Sequence, residues 1–153
     1  MMTLYEKLSL PILLLYLLPA GIRDLRSLCV PLWYLLGGCA AALVAAAIQI
    51  MQGSLTWHAA ILSVMPGLML LMLSRVSEKK IGEADGILFL TAGLVLGSRN
   101  TCILLTISLV LSSLCAIVLL LLRKVTLRTR IPFVPFAAAG SALLLLAQMQ
   151  EVL

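Results

Sequence analysis

The sequence predicts an all-α fold: a polytopic membrane protein with about six transmembrane helices in one bundle. Composition is the first reason. Of 153 residues, 63% are hydrophobic and only 11% are charged, and the mean hydropathy is +1.18. A soluble fold of this length cannot hide so much apolar surface. Spacing is the second reason. A bilayer core of about 30 Å takes roughly 20 helical residues at 1.5 Å each, and charges and turn residues cut this chain into pieces of that size. Six such spans use almost the whole length, so residues 1–153 read as a single membrane-embedded domain with no room for a separate soluble one.

The elements follow in order, with boundaries good to a few residues. The first apolar run, 8–22, is preceded only by Lys7 and ends in Arg23-Asp24 instead of a small-residue cleavage site. It is therefore expected to stay as a helix, bent at Pro11 and Pro19, and not to be a cleavable signal. The second run, 31–51, holds Gly37, Gly38 and a series of alanines suited to close helix packing in lipid. Gln52-Gly53-Ser54 leads into the third run, 57–75, and Glu78-Lys79-Lys80 into the fourth, 81–98, where Gly93 and Gly97 form a small-xxx-small pair. Ser98-Arg99-Asn100 divides this from the fifth run, 101–122, and Arg123 to Arg130 leads to the sixth, 132–150. Pro132 and Pro135 are tolerated there because the first amides of a helix lack partners anyway. The connections are short, so consecutive helices should be antiparallel neighbours.

Orientation follows from the basic residues, which cytoplasmic loops carry in excess. The first, third and fifth connections hold Arg23, Arg26, Arg75, Lys79, Lys80, Arg123, Lys124, Arg128 and Arg130, nine of the eleven Lys and Arg in the chain. That face reads as cytoplasmic, with both termini outside. Trp33 and Trp57 fit interfacial anchors on opposite faces. The net charge of +5 is thus a topology signal, with membrane lipid headgroups as its partners and no nucleic acid implied.

Asp24 and Asp85 each sit at the polar end of an apolar run, and this topology puts both ends on one face. The fourth run needs residues from about Ile81 to approach the length of a span, which brings Glu83 and Asp85 into its first turn or two. A carboxylate there costs about 2.5–3.5 kcal/mol on insertion scales, and such residues are functional candidates by default. Two carboxylates in a partly dry site share a proton, so that one can take a proton from water while the other donates to a peptide carbonyl. A second reading of the same positions is structural: helix caps or loop acids, paired with Arg23, Arg26 or Lys80. Spacing alone leaves both open.

The neighbouring residues add a resemblance. Asp24-Leu25-Arg26 followed by Val30-Pro31-Leu32-Trp33 resembles the first aspartate segment of the type IV prepilin peptidases, membrane aspartic proteases of the G-x-G-D class. Gly82-Glu83-Ala84-Asp85-Gly86-Ile87-Leu88 resembles their second aspartate segment, and Ile131-Pro132-Phe133-Val134-Pro135-Phe136-Ala137 is similar to the segment that opens their last helix. The matches occur in the family's order over nearly the whole chain.

The resemblance implies an inner-membrane aspartic endopeptidase that cleaves the basic leader of a pilin-like precursor at the cytoplasmic face, with Asp24 and Asp85 as catalytic residues and no cofactor. Gly82, Glu83, Ala84, Gly86, Arg26 and Pro31 would support the motif, and Pro132, Phe133, Pro135 and Phe136 are candidates for a substrate groove or for interfacial packing. Ala84 stands where the family has a glycine, so an altered site is expected, because alanine neither adopts positive φ nor permits close approach as readily. Glu83 reads either as a contact for a basic leader residue or as a solvated acid paired with Lys79 or Lys80. The zinc-binding, methyl-transferring insert of longer members has no counterpart here, and Cys29, Cys39, Cys102 and Cys115 form no C-x-x-C pair, so no metal is expected. His58, the single histidine, reads as interfacial. The rival readings are a membrane carrier or assembly subunit that uses the two acids for an ion or a proton, and an inactive homologue.

Overall fold

The computed structural model describes residues 4–27, 30–53, 55–76, 82–122 and 132–152. These form five helices: α1 (Leu4–Ser27), α2 (Leu32–Met51), α3 (Trp57–Val76), α4 (Glu83–Leu121) and α5 (Val134–Val152). The first four are long and apolar enough to cross a membrane, and α5 contains the shorter apolar stretch Val134–Gln150. The all-α, multi-span architecture expected from composition is the one the chain adopts. Cys29, the Lys79 and Lys80 partners expected for Glu83, the basic connection 123–130 and Ile131 lie outside the described residues.

The division between the fourth and fifth runs differs from expectation. Ser98, Arg99 and Asn100 are helical, and the interruption falls on Gly97 alone, at φ 76 and ψ 170. A straight helix of 39 residues would measure about 58 Å, nearly twice the bilayer core. The break instead brings Thr101 Oγ1 within 3.2 Å of the Ala92 carbonyl, two groups that nine residues of straight helix would hold about 13 Å apart. Asn100 Nδ2 donates to the Leu96 carbonyl at 3.5 Å. Asn100, read from the sequence as part of a loop, and Thr101 after it thus cover carbonyls next to the break, as an apolar medium requires. Two arms result, 83–96 and 98–121, which restores six rods from five helices.

The first arm of α4 is the centre of the assembly. It runs antiparallel to α3, in contact through glycines: Gly67 lies on the Leu90 backbone, Gly86 on Leu71, and Gly93 against the Ser63 carbonyl. Any β-carbon at these positions would collide, so the helices meet at backbone distance. Gly97, the expected partner of Gly93 in a packing pair, has open space around it: a β-carbon there would meet nothing within 4 Å. It serves the break instead. The second arm packs on α5, where Gly140 faces Ser108 and Leu104. Tyr16 of α1 stacks on Tyr34 of α2 with ring centroids 5.0 Å apart, and the Tyr34 hydroxyl donates to the Tyr16 carbonyl.

Polarity is arranged as a bilayer demands. Ser63, Thr101, Ser108 and Ser141 are buried, each donating to a backbone carbonyl, whereas Leu15, Met69, Met72 and Trp33 are largely exposed. Small hydroxyl side chains satisfied inside and large apolar ones outside is the pattern of helices associating in lipid.

Candidate active site

On α1, Leu10, Leu13, Leu17 and Ala20 recur in alternating steps of three and four, and all are buried. The next position in that series is Asp24, only 8% exposed. The periodicity that turns an apolar stripe inward thus carries a carboxylate into the bundle with it. Its hydrogen-bond partner is backbone: the Val134 amide donates to Oδ2 at 3.2 Å, and the Phe133 amide is also directed at the carboxylate. Arg23 and Arg26, the partners weighed for a purely structural role, are both exposed.

The start of α5 explains this contact. Pro132 and Pro135 carry no amide hydrogen, and the Phe133 carbonyl already accepts from Phe136 and Ala137. No side chain at Phe133 can cap the helix, so the unpaired amides of its first turn are met from α1. A hydrogen bond to a charged acceptor contributes about 1.5–3 kcal/mol. Gly21 faces the same turn: a β-carbon there would lie 3.4 Å from Pro135 Cα, in ordinary van der Waals contact.

Asp85 is the third residue of α4, and its amide bonds to the carbonyl of the N-cap Gly82 at 3.2 Å. Gly82 has extended φ and ψ, and a β-carbon on it would lie 2.9 Å from Asp85 Oδ2. The Asp85 side chain is half-buried and close enough to Asp24 for the two charges to act on one another. Gly86, the next residue, is buried against α3. One turn on, the fully buried Phe89 meets Phe133 with ring centroids 5.8 Å apart. Two successive residues at the start of α5 therefore hold the site together: Phe133 engages the helix of Asp85, and Val134 engages Asp24 itself.

The other residues singled out from the sequence divide by location. Ala84 lies within the helical first turn and packs against the core. Gly53 and Gly97 are the glycines at positive φ, so position 84 does not call for glycine on conformational grounds, and only the question of space remains. Glu83 and Arg26 are exposed. Pro31 opens α2, its carbonyl accepting from Tyr34 and Leu35. Pro132, Phe133, Pro135 and Phe136 are each half-buried around the start of α5. His58 is exposed in the first turn of α3, the end of that helix remote from α4's start. Among the described residues no three His, Cys, Asp or Glu side chains gather, and Cys39, Cys102 and Cys115 are free thiols. A cavity of about 220 Å³ between α1, α2 and α4, lined by Leu13, Tyr16, Gly38 and Thr91 among others, begins eight residues from Asp24, about 12 Å along α1, and is separate from the carboxylates.

The sequence model of the type IV leader peptidase family matches residues 8–121, well over half of the chain. The chain belongs to the type IV leader peptidase family. No curated protein and no solved structure matches it. The matched stretch of this leader-peptidase relative contains both aspartates and runs from α1 through both arms of α4, while α5 lies beyond it. Family membership gives the chain a leader-peptidase character in general terms, and its apolar helices make it a multi-pass membrane protein.

Sequence reasoning missed the Val134 amide. A backbone donor leaves no trace in residue identity, although the two prolines around it mark a helix start with few amides to offer. It also missed the buried stripe that ends in Asp24, which the three-and-four spacing does display.

Proposed function

We propose that this protein is an aspartic endopeptidase that removes the basic leader from pilin-like precursors, acting as a single membrane-embedded domain. The observation that carries the proposal is the convergence of Asp24 and Asp85, the two aspartates in the chain, from helices 61 positions apart to one end of the bundle, within electrostatic reach of each other. Two carboxylates that share one proton activate water: one takes a proton as the water attacks the peptide carbonyl, and the other donates to the carbonyl oxygen. Water enters from the end of the bundle at which both acids lie. On this reading that end faces the cytoplasm, in keeping with the basic residues of the connections, with both termini outside and the protein in the inner membrane.

The substrate on this reading is a single-span helix with a basic leader, cut just before it enters the membrane. Glu83 is exposed two positions before Asp85, at the end of the bundle where a basic leader would arrive. The half-buried Pro132, Pro135 and Phe136 offer apolar surface next to Asp24 for the start of the substrate helix. The test is co-expression with a pilin-like precursor whose leader is basic, alongside one whose leader has its Lys and Arg replaced by Gln. Cleavage of the first and much reduced cleavage of the second supports the reading. An intact precursor in the presence of accumulated enzyme removes it, and uptake of a cation or proton by the same membranes would then favour a carrier.

A further inference from the structure

We propose that the Val134 amide is a positioning group that makes Asp24 the ionised partner of the pair and leaves the shared proton on Asp85. This rests on the dyad reading above and gives the two acids different roles. The Val134 N–H points at Asp24 Oδ2 at 3.2 Å, and an amide hydrogen directed at a carboxyl oxygen favours the deprotonated form. The same contact places Asp24 at the N-terminus of α5, whose amides carry partial positive charge. Pro132 and Pro135 remove the competing donors around it, so Val134 and Phe133 face this one acceptor.

Asp85 is held differently. Its own amide is used by the Gly82 carbonyl, and among the described residues its carboxyl group accepts no hydrogen bond. It shares the field of the α4 N-terminus, an effect weaker than a direct hydrogen bond. Among the described residues, the charged groups at this end of the bundle are Arg23 and Arg26 on α1, Arg75 in the last turn of α3 and Glu83 on α4, all exposed. With Asp24 fixed as the carboxylate, it is the base that takes the proton from water. Asp85 is the acid that gives its proton to the peptide carbonyl oxygen and regains one from a hydroxyl of the resulting diol as the C–N bond breaks, while the proton taken by Asp24 leaves with the new amino group.

The chain contains two aspartates, so labelling with [4-13C]aspartate yields two side-chain signals, both from the site. We would prepare the full chain in lipid bilayers with this label and 15N-valine, and record carbon–nitrogen dipolar dephasing by solid-state NMR at neutral pH. Val134→Ala keeps the amide but removes its label, so the signal dephased in wild type and not in this variant is Asp24. The expected result is an Asp24 signal at the carboxylate position and a second signal shifted to the carboxylic-acid position. A protonated Asp24, two ionised signals, or no dephasing lost in Val134→Ala would each overturn the assignment. The measurement needs no substrate: reversed protonation with cleavage intact defeats this inference alone, whereas absence of cleavage by the wild type defeats the underlying reading.

Discussion

A β-carbon on Gly82 would lie 2.9 Å from Oδ2 of Asp85, so the absence of a side chain at one residue sets where the carboxylate of the other can rest. Gly82 is exposed and in extended backbone geometry that any residue adopts, so Gly82→Ala should leave the fold intact. The carboxylate must swing away, and misplacing a reacting group by about 1 Å costs on the order of 100-fold. We expect kcat for precursor cleavage to fall about 10- to 100-fold with thermal stability unchanged. A variant of wild-type activity would show that Asp85 is not held by this contact.

Ala84→Gly restores the residue typical of the motif, yet the position is helical. Glycine inside a helix is less stable than alanine by about 0.5–1 kcal/mol. The expected outcome is a slightly lower melting temperature and cleavage within about threefold of wild type, because a single methyl group controls little beyond local space. A large gain in kcat would mean that the substrate approaches the backbone at this residue.

Gly93 and Gly97 lie one turn apart in sequence but answer to different physics. A β-carbon on Gly93 collides with the Ser63 carbonyl of α3, so Gly93→Ala forces the helices apart at a cost of about 1–3 kcal/mol. Gly97 has open space around it, but φ 76 with ψ 170 is a region essentially confined to glycine, costing about 1–3 kcal/mol for another residue. Both Gly93→Ala and Gly97→Ala should lower the unfolding midpoint in detergent, whereas Gly37→Ala, with open space and no positive φ, should not. Equal midpoints for all three would remove both explanations.

Tyr34→Phe tests the pairing of α1 with α2. It removes the hydroxyl that donates to the Tyr16 carbonyl at 2.8 Å while keeping the stacked rings. A net loss of about 0.5–1.5 kcal/mol is expected for such a bond, read as a lowered unfolding midpoint, with cleavage unaffected because the contact lies two turns from Asp24.

The large-scale design was legible because a bilayer enforces it: an apolar run of span length has to be a helix, and the starts of α2, α3 and α4 fall within two residues of those read from the sequence. The two aspartates were legible for the same reason, since an acid within a span stands out against its surroundings. The reversal at Gly97 was hidden because Ser98, Arg99 and Asn100 have the composition of a loop while acting as the first turn of an arm. The notches in α3 and α4 were hidden for another reason. A glycine signals permission for close approach, but which helix arrives, as at Gly67 and Leu90, is decided by tertiary packing. The Val134 contact spans 110 positions and depends on a backbone group, so no local pattern encodes it.

Whether Asp24 and Asp85 work as a unit is decided by cleavage kinetics of the purified protein in bilayers. Wild type, Asp24→Asn, Asp85→Asn and the double variant would be compared on one precursor, with the new amino terminus sequenced to identify the bond cut. Each single substitution is expected to lower kcat by at least about 1,000-fold, with the double variant no worse, as for residues acting together. Cleavage at the same bond by either single variant at near wild-type rate would rule out a working pair.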